Sequence, residues 1–446
     1  MVLFLTVSVF IFFVAIKSLV HDVLSRGILY VFVGWWHLSM IGALLSKDIL
    51  YTPTDLSVFI LWLGVLSFCL GYIVQKIPRY LWSNYSCIYL EKKLNKILDN
   101  KLFWLILIAF AIYVIWCYTQ FFAEIQLHGV VGDMRQSYFD SDNDFYGPRF
   151  HILQTFLFKP AVYVLAALFC YSLLRKRNIA CLLLLVALFF YHSLGGGRFG
   201  YVLMIINLLV VYLLFYSKDN KIVVKFKTYI ILAVGILVLA LLLTIVTSMR
   251  HGSFDGFNKT TIEDTWDDNS EQIRLFNSGP VVAFDQALKN DWFINKAGGH
   301  TYGGLLFGPL IFLYRNVSVS FLGMPDFEQP YIRVSQNVQQ DTFIKIGPSQ
   351  EWNALYTWNI DFYADFGIIG IIFMNFIIGF WFRSIIKMFY KKPTASAFLL
   401  MCILESLVLF SVFNTTFNDF ILWVLIIGLY IIHRQTKINI YTTSTI

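Results

Sequence analysis

The stretch Asn359-Ile360-Asp361-Phe362-Tyr363-Ala364-Asp365-Phe366-Gly367-Ile368-Ile369-Gly370 opens an apolar run that continues to residue 382. About 20 apolar residues suffice for a helix to cross the hydrocarbon core of a membrane. A long polar segment, residues 249–356, lies before this run and follows another apolar run at 229–248. The sequence therefore predicts membrane helices on both sides of one large hydrophilic loop.

The whole chain of 446 residues is 58% hydrophobic and 14% charged, which is too apolar for a soluble protein with one packed core. We predict an all-α polytopic membrane protein, because lipid tolerates only backbone that is internally hydrogen-bonded. Three segments follow: membrane helices in 1–248, the loop 249–356, and further helices with a tail in 357–446. About eleven spans are predicted, at 2–16, 27–45, 56–74, 102–123, 155–174, 179–194, 199–216, 229–248, 360–382, 396–413 and 420–433.

Basic residues predict the orientation of these spans, since Lys and Arg gather in cytoplasmic loops. Most of them occur in one set of alternate loops, which includes Lys76, Arg175, Lys218 and Arg383. This predicts an outer N-terminus, a cytoplasmic C-terminus and an outer position for loop 249–356. The same clustering explains the net charge of +7, so nucleic acid is not an expected partner.

The six cysteines lie in apolar runs or in a lysine-rich loop, without a disulfide framework or a metal-ligand spacing. We interpret them as packing residues and predict no metal or cofactor. The first apolar run has no basic residue before it and no small-residue cleavage site, which predicts a retained span. Two further segments are predicted on the outer face. The acidic loop 124–154 either forms one wall of a site together with the long loop or is a solvated connector. Residues 301–323 are expected to dip into the membrane interface.

Arginine dominates the outer face. In Gly195-Gly196-Gly197-Arg198 a turn without a linker sets Arg198 near the lipid surface, where it either snorkels to headgroups or clamps a phosphate. Arg250 ends a span at similar depth. Three more arginines follow in the loop: Arg274, Arg315 and Arg333. Each alone is typical of a surface ion pair, but together they favour an anionic amphiphile such as a lipid-linked phosphate or pyrophosphate.

An outer-face enzyme needs a donor that crosses the membrane, because nucleotide sugars are cytoplasmic. A sugar on polyprenyl pyrophosphate meets this need, with arginines stabilising the leaving group and a base activating the acceptor hydroxyl. The candidate bases are Glu351, Asp361, Asp365 and His300. Asp361 and Asp365 share a helical face, although capping or arginine pairing would also explain them.

Glu405 lies within a later span and raises the same question. It is either a functional acid or a hydrogen-bonded core residue.

Several of these features resemble the bacterial oligosaccharide repeat-unit polymerases of the Wzy type, which build O-antigen or capsule. The resemblance is carried by the Gly-Gly-Gly-Arg198 turn, the large outer loop, the segment from Tyr302 to Pro309, and two closing motifs. These motifs are Asn353-Ala354-Leu355-Tyr356-Thr357 and Asp365-Phe366-Gly367-Ile368-Ile369-Gly370. The likeness covers most of the chain in topology but only about residues 190–370 in motif.

The resemblance implies a multi-span glycosyltransferase of GT-C-like architecture in the bacterial inner membrane, with a periplasmic loop. Such an enzyme moves a growing glycan from undecaprenyl pyrophosphate to the non-reducing end of a new lipid-linked repeat unit. It also implies a partner that regulates chain length, and pyrophosphate-binding roles for Arg198 and Arg250, with Arg274, Arg315 and Arg333 as further matches.

Two other functions stay open. In an O-antigen ligase a histidine would stand beside Asn353, whereas Glu351 and Trp352 precede it here. A flippase or transporter of lipid-linked oligosaccharide would place polar residues near the midplane in interrupted helices, whereas the polar residues of this sequence gather in one outer loop.

Overall fold

A computed structural model describes residues 1–77, 84–128, 153–194, 199–216, 259–291, 299–325, 344–352, 357–412 and 420–436, and these residues are almost all helical. A π-helical turn, Gln154–Phe158, leads into α6. The helices are α1 Val2–Leu19, α2 Val23–Leu45, α3 Asp55–Val74, α4 Asn84–Leu98, α5 Lys101–His128, α6 Lys159–Leu174, α7 Asn178–Ser193, α8 Phe199–Tyr216, α9 Lys259–Lys289, α10 Gly308–Leu322, α11 Asn359–Lys391, α12 Ala395–Phe410 and α13 Phe420–Gln435.

Helices occupy ten of the eleven stretches that the sequence predicts as spans, and the stretch 229–248 lies outside the described residues. Within the described part of the chain, six helices are long and apolar enough to cross a membrane: α1, α2, α3, the residues Lys101–Gln120 of α5, Phe156–Leu174 and α11. Four shorter apolar helices accompany them. The chain is therefore an all-α protein with the character of a polytopic membrane protein.

Three of the described helices, α4, α9 and α10, lie outside the predicted spans. Helix α4 buries Leu90 and Leu94 while Lys92 and Lys93 stay exposed, which is the pattern of an amphipathic helix. Helix α9 includes the acidic residues near the start of the predicted loop 249–356 and continues through Pro280. Residues 301–323 contain a series of turns and then α10, which ends at Gly323 in the left-handed conformation.

The chain divides into two compact units, residues Met1–Leu94 with Asn277–Ile446, and residues Asn95–Phe276. In the second unit α7 packs against both α5 and α6, and α8 packs against α6. Arg177 forms a 2.7 Å ion pair with Asp99 there. The six cysteines are free thiols, five of them buried and Cys181 half-buried, as packing residues would be.

The first unit is built around α3 and α11, which run side by side in the same direction. A Cβ atom at Gly71 would lie 2.0 Å from the carbonyl oxygen of Phe376, and one at Gly379 would lie 2.2 Å from the carbonyl oxygen of Phe68. Such contacts between backbones need glycine, as is common where membrane helices pack. The two helices are therefore in contact along α3 from Gly64 to Gln75.

Helix α11 is folded back on itself at its start. Gly367 has φ 68° and ψ −156°, which interrupts the helix. The side chain of Asn375 donates to the side-chain oxygen of Asn359 at 2.7 Å, although 16 residues of straight helix would separate them by about 24 Å. Residues 359–366, the short arm, thus lie against the first turns of residues 368–391, the long arm. The sequence predicts one straight span here, and the structure differs. The fold-back depends on the positive φ of a single glycine, and a hydropathy pattern carries no information about backbone angles.

The fold-back carries the residues just before α11 into the interior of the unit. The Trp358 ring is 6.2 Å from the ring of Phe32 in α2 and 5.8 Å from that of Phe68 in α3. The amide of Trp358 donates to the carbonyl of Ser411 at the end of α12. The start of the short arm is therefore enclosed by protein.

Candidate functional site

The candidate site lies where the fold-back of α11 meets residues 299–307, which we term the His300 loop. Gly299 has φ 142° and Gly303 has φ 94°, and these conformations favour glycine. The amides of Thr301 and Tyr302 donate to the carbonyls of Ala364 and Asp365 at 3.1 and 3.0 Å. The loop is thereby fixed to the end of the short arm.

Asp365 fastens this loop with its side chain. One carboxylate oxygen accepts from the Thr301 hydroxyl and from the Leu305 amide at 3.0 Å, and the other accepts from the Leu306 amide at 3.0 Å. The residue is fully buried. Its carboxylate faces donors of its own chain, so its geometry is that of a residue that holds the loop in place.

His300 lies half-buried beside the fold-back. Its Nδ1 is 3.2 Å from the Ala364 carbonyl oxygen, which can only accept, so Nδ1 carries the proton of the neutral ring. Nε2 is then the acceptor, and no described residue donates to it. The ring meets the Tyr363 ring edge-on, with centroids 6.2 Å apart. A positioned, partly exposed imidazole in this tautomer can accept a proton from a hydroxyl group.

The other candidate bases have different surroundings. Asp361 is buried in the short arm, one helical turn from Asp365. Glu351 is exposed on a two-stranded hairpin, β1 Ile344–Lys345 and β2 Glu351–Trp352, where it pairs with Lys345 in register. The hairpin is held to the loop before α3 by the Tyr51 amide, which donates to the Ile346 carbonyl at 2.8 Å.

The predicted phosphate-binding residues are only partly described. Arg315 is half-buried in α10, directly after the His300 loop, and Arg274 is exposed in the part of α9 that belongs to the second unit. The remaining predicted site residues lie outside the described residues: Arg198, Arg250, Arg333, Gly195, Gly196, Gly197 and Asn353. Among the described residues, no group of three or more His, Cys, Asp or Glu side chains could hold a metal ion.

Sequence reasoning missed a second buried carboxylate near the start of α3. Asp285 of α9 accepts from the Thr54 amide and hydroxyl at 2.8 and 2.6 Å and from the Ser57 hydroxyl at 2.8 Å. Lys289 pairs with it at 2.7 Å. Burial opposes its ionisation, but the bonds from Lys289, Thr54 and Ser57 prevail and hold the pKa of Asp285 below its usual value. The helix cap at Thr54 is visible in the sequence; its partner 231 residues away is not.

Comparison of the chain with protein-family models, with curated proteins and with solved structures found no match. The function is therefore argued from the site itself.

Proposed function

We propose that this protein is a membrane glycosyltransferase of the Wzy type that polymerises lipid-linked oligosaccharide repeat units. The growing glycan leaves undecaprenyl pyrophosphate and is transferred to the non-reducing end of a new repeat unit. The enzyme has eleven spans in a GT-C-like arrangement in the bacterial inner membrane, with its N-terminus and the site on the periplasmic side and its C-terminus in the cytoplasm.

The position of His300 is the observation that carries this proposal. Its Nδ1 is held by the Ala364 carbonyl, and Nε2 is directed away from that bond. In the proposed reaction Nε2 accepts the proton of the acceptor hydroxyl as the bond from sugar to pyrophosphate breaks. Arg315 follows in the next helix, and the resemblance assigns pyrophosphate binding also to Arg198, Arg250, Arg274 and Arg333. A chain-length regulator and membrane lipids are the further partners.

The test is polymer formation by purified protein in liposomes that carry lipid-linked repeat units. His300→Gln should lower the rate by about 100-fold or more, the usual contribution of a general base. The matched control is His21→Gln, because His21 is exposed in the turn between α1 and α2. Polymer made by His300→Gln at the wild-type rate would remove His300 from the mechanism.

The fold-back of α11 favours a second candidate, a transporter of the same lipid-linked oligosaccharide. Interrupted helices with buried polar ends are typical of transporter binding sites. Here Thr357 and Asn359 are buried at the start of the short arm, and the Thr357 hydroxyl has no hydrogen-bond partner among the described residues. The same liposomes separate the two functions: polymer without translocation supports the enzyme, and translocation without polymer supports the transporter.

A further inference from the structure

Glu405 is a buried acid in the middle of α12. The residue is 1% exposed, and the other residues of this helix from Ser396 to Phe410 are buried as well. Neither Oε1 nor Oε2 has a hydrogen-bond partner among the described residues. This contrasts with Asp285 and Asp365, whose carboxylates each face three or more donors.

Arg383 of α11, whose positive charge acts on Glu405, is already engaged. Its Nη2 pairs with Asp22 at 2.8 Å, its Nε donates to the Gln75 carbonyl at 3.2 Å, and its Nη1 donates to the Ser25 hydroxyl. The side chain of Arg383 is only 4% exposed. Asp22 therefore already neutralises the charge of Arg383, and each nitrogen of the Arg383 guanidinium has a partner other than Glu405.

Among the described residues, the groups around Glu405 offer it no second positive charge. Arg383 and Asp22 act on it electrostatically from α11 and from the start of α2, and α3 contributes the Tyr72 ring. On α13, His433 bonds Thr394 at 2.8 Å at the beginning of α12, and Lys392 bonds the His433 carbonyl. An ionised Glu405 would add a second negative charge without donors, which is among the least favourable states of a buried group.

We propose that the carboxyl group of Glu405 is an internal proton-binding site, protonated in the conformation described here and deprotonated in another. On release the O–H bond breaks, the proton passes to water, and the carboxylate takes Arg383 as its counter-ion in exchange with Asp22. A buried ionisable residue within a membrane protein often marks such a path. The inference does not depend on the proposed glycan chemistry, because Arg383 and the His300 loop lie at opposite ends of α11.

Infrared spectroscopy of the purified full-length protein in lipid nanodiscs tests this directly. The wild type should show the carbonyl stretch of a protonated carboxylic acid at neutral pH, shifted in deuterated buffer and lost as the pH is raised. Glu405→Gln should lack this band. Glu351→Gln should keep it, because Glu351 is exposed on the hairpin. A wild-type spectrum identical to that of Glu405→Gln would overturn the proposal.

Thermal unfolding gives an independent readout. Glutamine resembles the protonated acid in shape and hydrogen bonding, so Glu405→Gln should fold. If unfolding releases the proton, the folded-to-unfolded ratio of the wild type relative to Glu405→Gln should fall as the pH rises above the unfolded glutamate value of about 4.3, by up to about tenfold per pH unit. A relative ratio that rises with pH, or failure of Glu405→Gln to fold, would mean that Glu405 is ionised in the native state.

Discussion

At the residue scale, Asp365 and His300 have different roles. The carboxylate of Asp365 holds the His300 loop in place, whereas Nε2 of His300 accepts no hydrogen bond from the described residues. Both were candidate bases in the sequence, where residue type alone could not separate them. The difference arises from Thr301, Leu305 and Leu306, which approach Asp365 across about 60 residues of chain. Such partners depend on tertiary structure, so only the candidates themselves could be predicted.

Replacing Asp365 by Asn should release the His300 loop. The amide NH₂ group would face a backbone donor where a carboxylate oxygen now accepts, and a bond to a charged acceptor would be lost. We expect a loss of about 3 kcal/mol in the free energy of unfolding. Thermal unfolding in detergent measures this, with Glu351→Gln as the exposed control. Stability equal to that of the wild type would show that the hydrogen bonds from the His300 loop to Asp365 do not stabilise the fold.

At the scale of elements, hydropathy located the helices because lipid forces the backbone into them. Hydropathy did not predict the interruption of α11 at Gly367, because the sequence around this glycine remains apolar. It also failed at α9, whose acidic first half gives no apolar stripe. The hairpin and the His300 loop could not be placed, since their contacts come from residues far away in sequence.

The fold-back of α11 predicts a pair of glycine variants with opposite outcomes. A Cβ at Gly370 would lie 2.3 Å from the Phe362 carbonyl oxygen, so Gly370→Ala should separate the arms and lower stability by several kcal/mol, as a severe backbone clash does. Gly428 in α13 has open space around its Cα, so Gly428→Ala should be neutral or stabilising by up to about 1 kcal/mol. Thermal unfolding compares them, and equal effects would contradict the fold-back.

The contact between α9 and α3 predicts a pH dependence. Because the pKa of folded Asp285 is lowered, its stabilisation is fully present above the unfolded value of about 3.9 and is lost as the pH falls through the folded value. Asp285→Asn should therefore be less stable than the wild type at neutral pH, by about 2 kcal/mol. The difference should shrink below about pH 4. Asp55→Asn, at an exposed position in the first turn of α3, is the control. A difference between Asp285→Asn and the wild type that persists in acid would contradict this account.

At the scale of the whole molecule, two groups of polar contacts lie at opposite ends of the helices of the first unit. Asp285, the hairpin and the His300 loop meet at one end, and Asp22, Gln75 and Arg383 meet at the other. The alternation of basic loops in the sequence predicts this separation and assigns the second end to the cytoplasm.

Labelling with a membrane-impermeant maleimide tests that assignment. In a variant whose native cysteines are replaced by serine, Glu351→Cys should react in spheroplasts. Lys92→Cys, at an exposed position of α4, should react only after the membrane is opened. The reverse pattern would invert the topology and remove the argument for a lipid-borne donor.

The fold-back at Gly367 also couples the lengths of two chain segments. Asn359 and Asn375 lie equally far from the turn, and each added residue displaces a helix by about 1.5 Å and rotates it by about 100°. A single insertion in either segment would therefore separate the asparagine pair and turn Phe362 away from Gly370. Unlike an ordinary membrane span, whose ends can lengthen into solvent, residues 359–375 must keep a fixed number of residues on each side of the glycine.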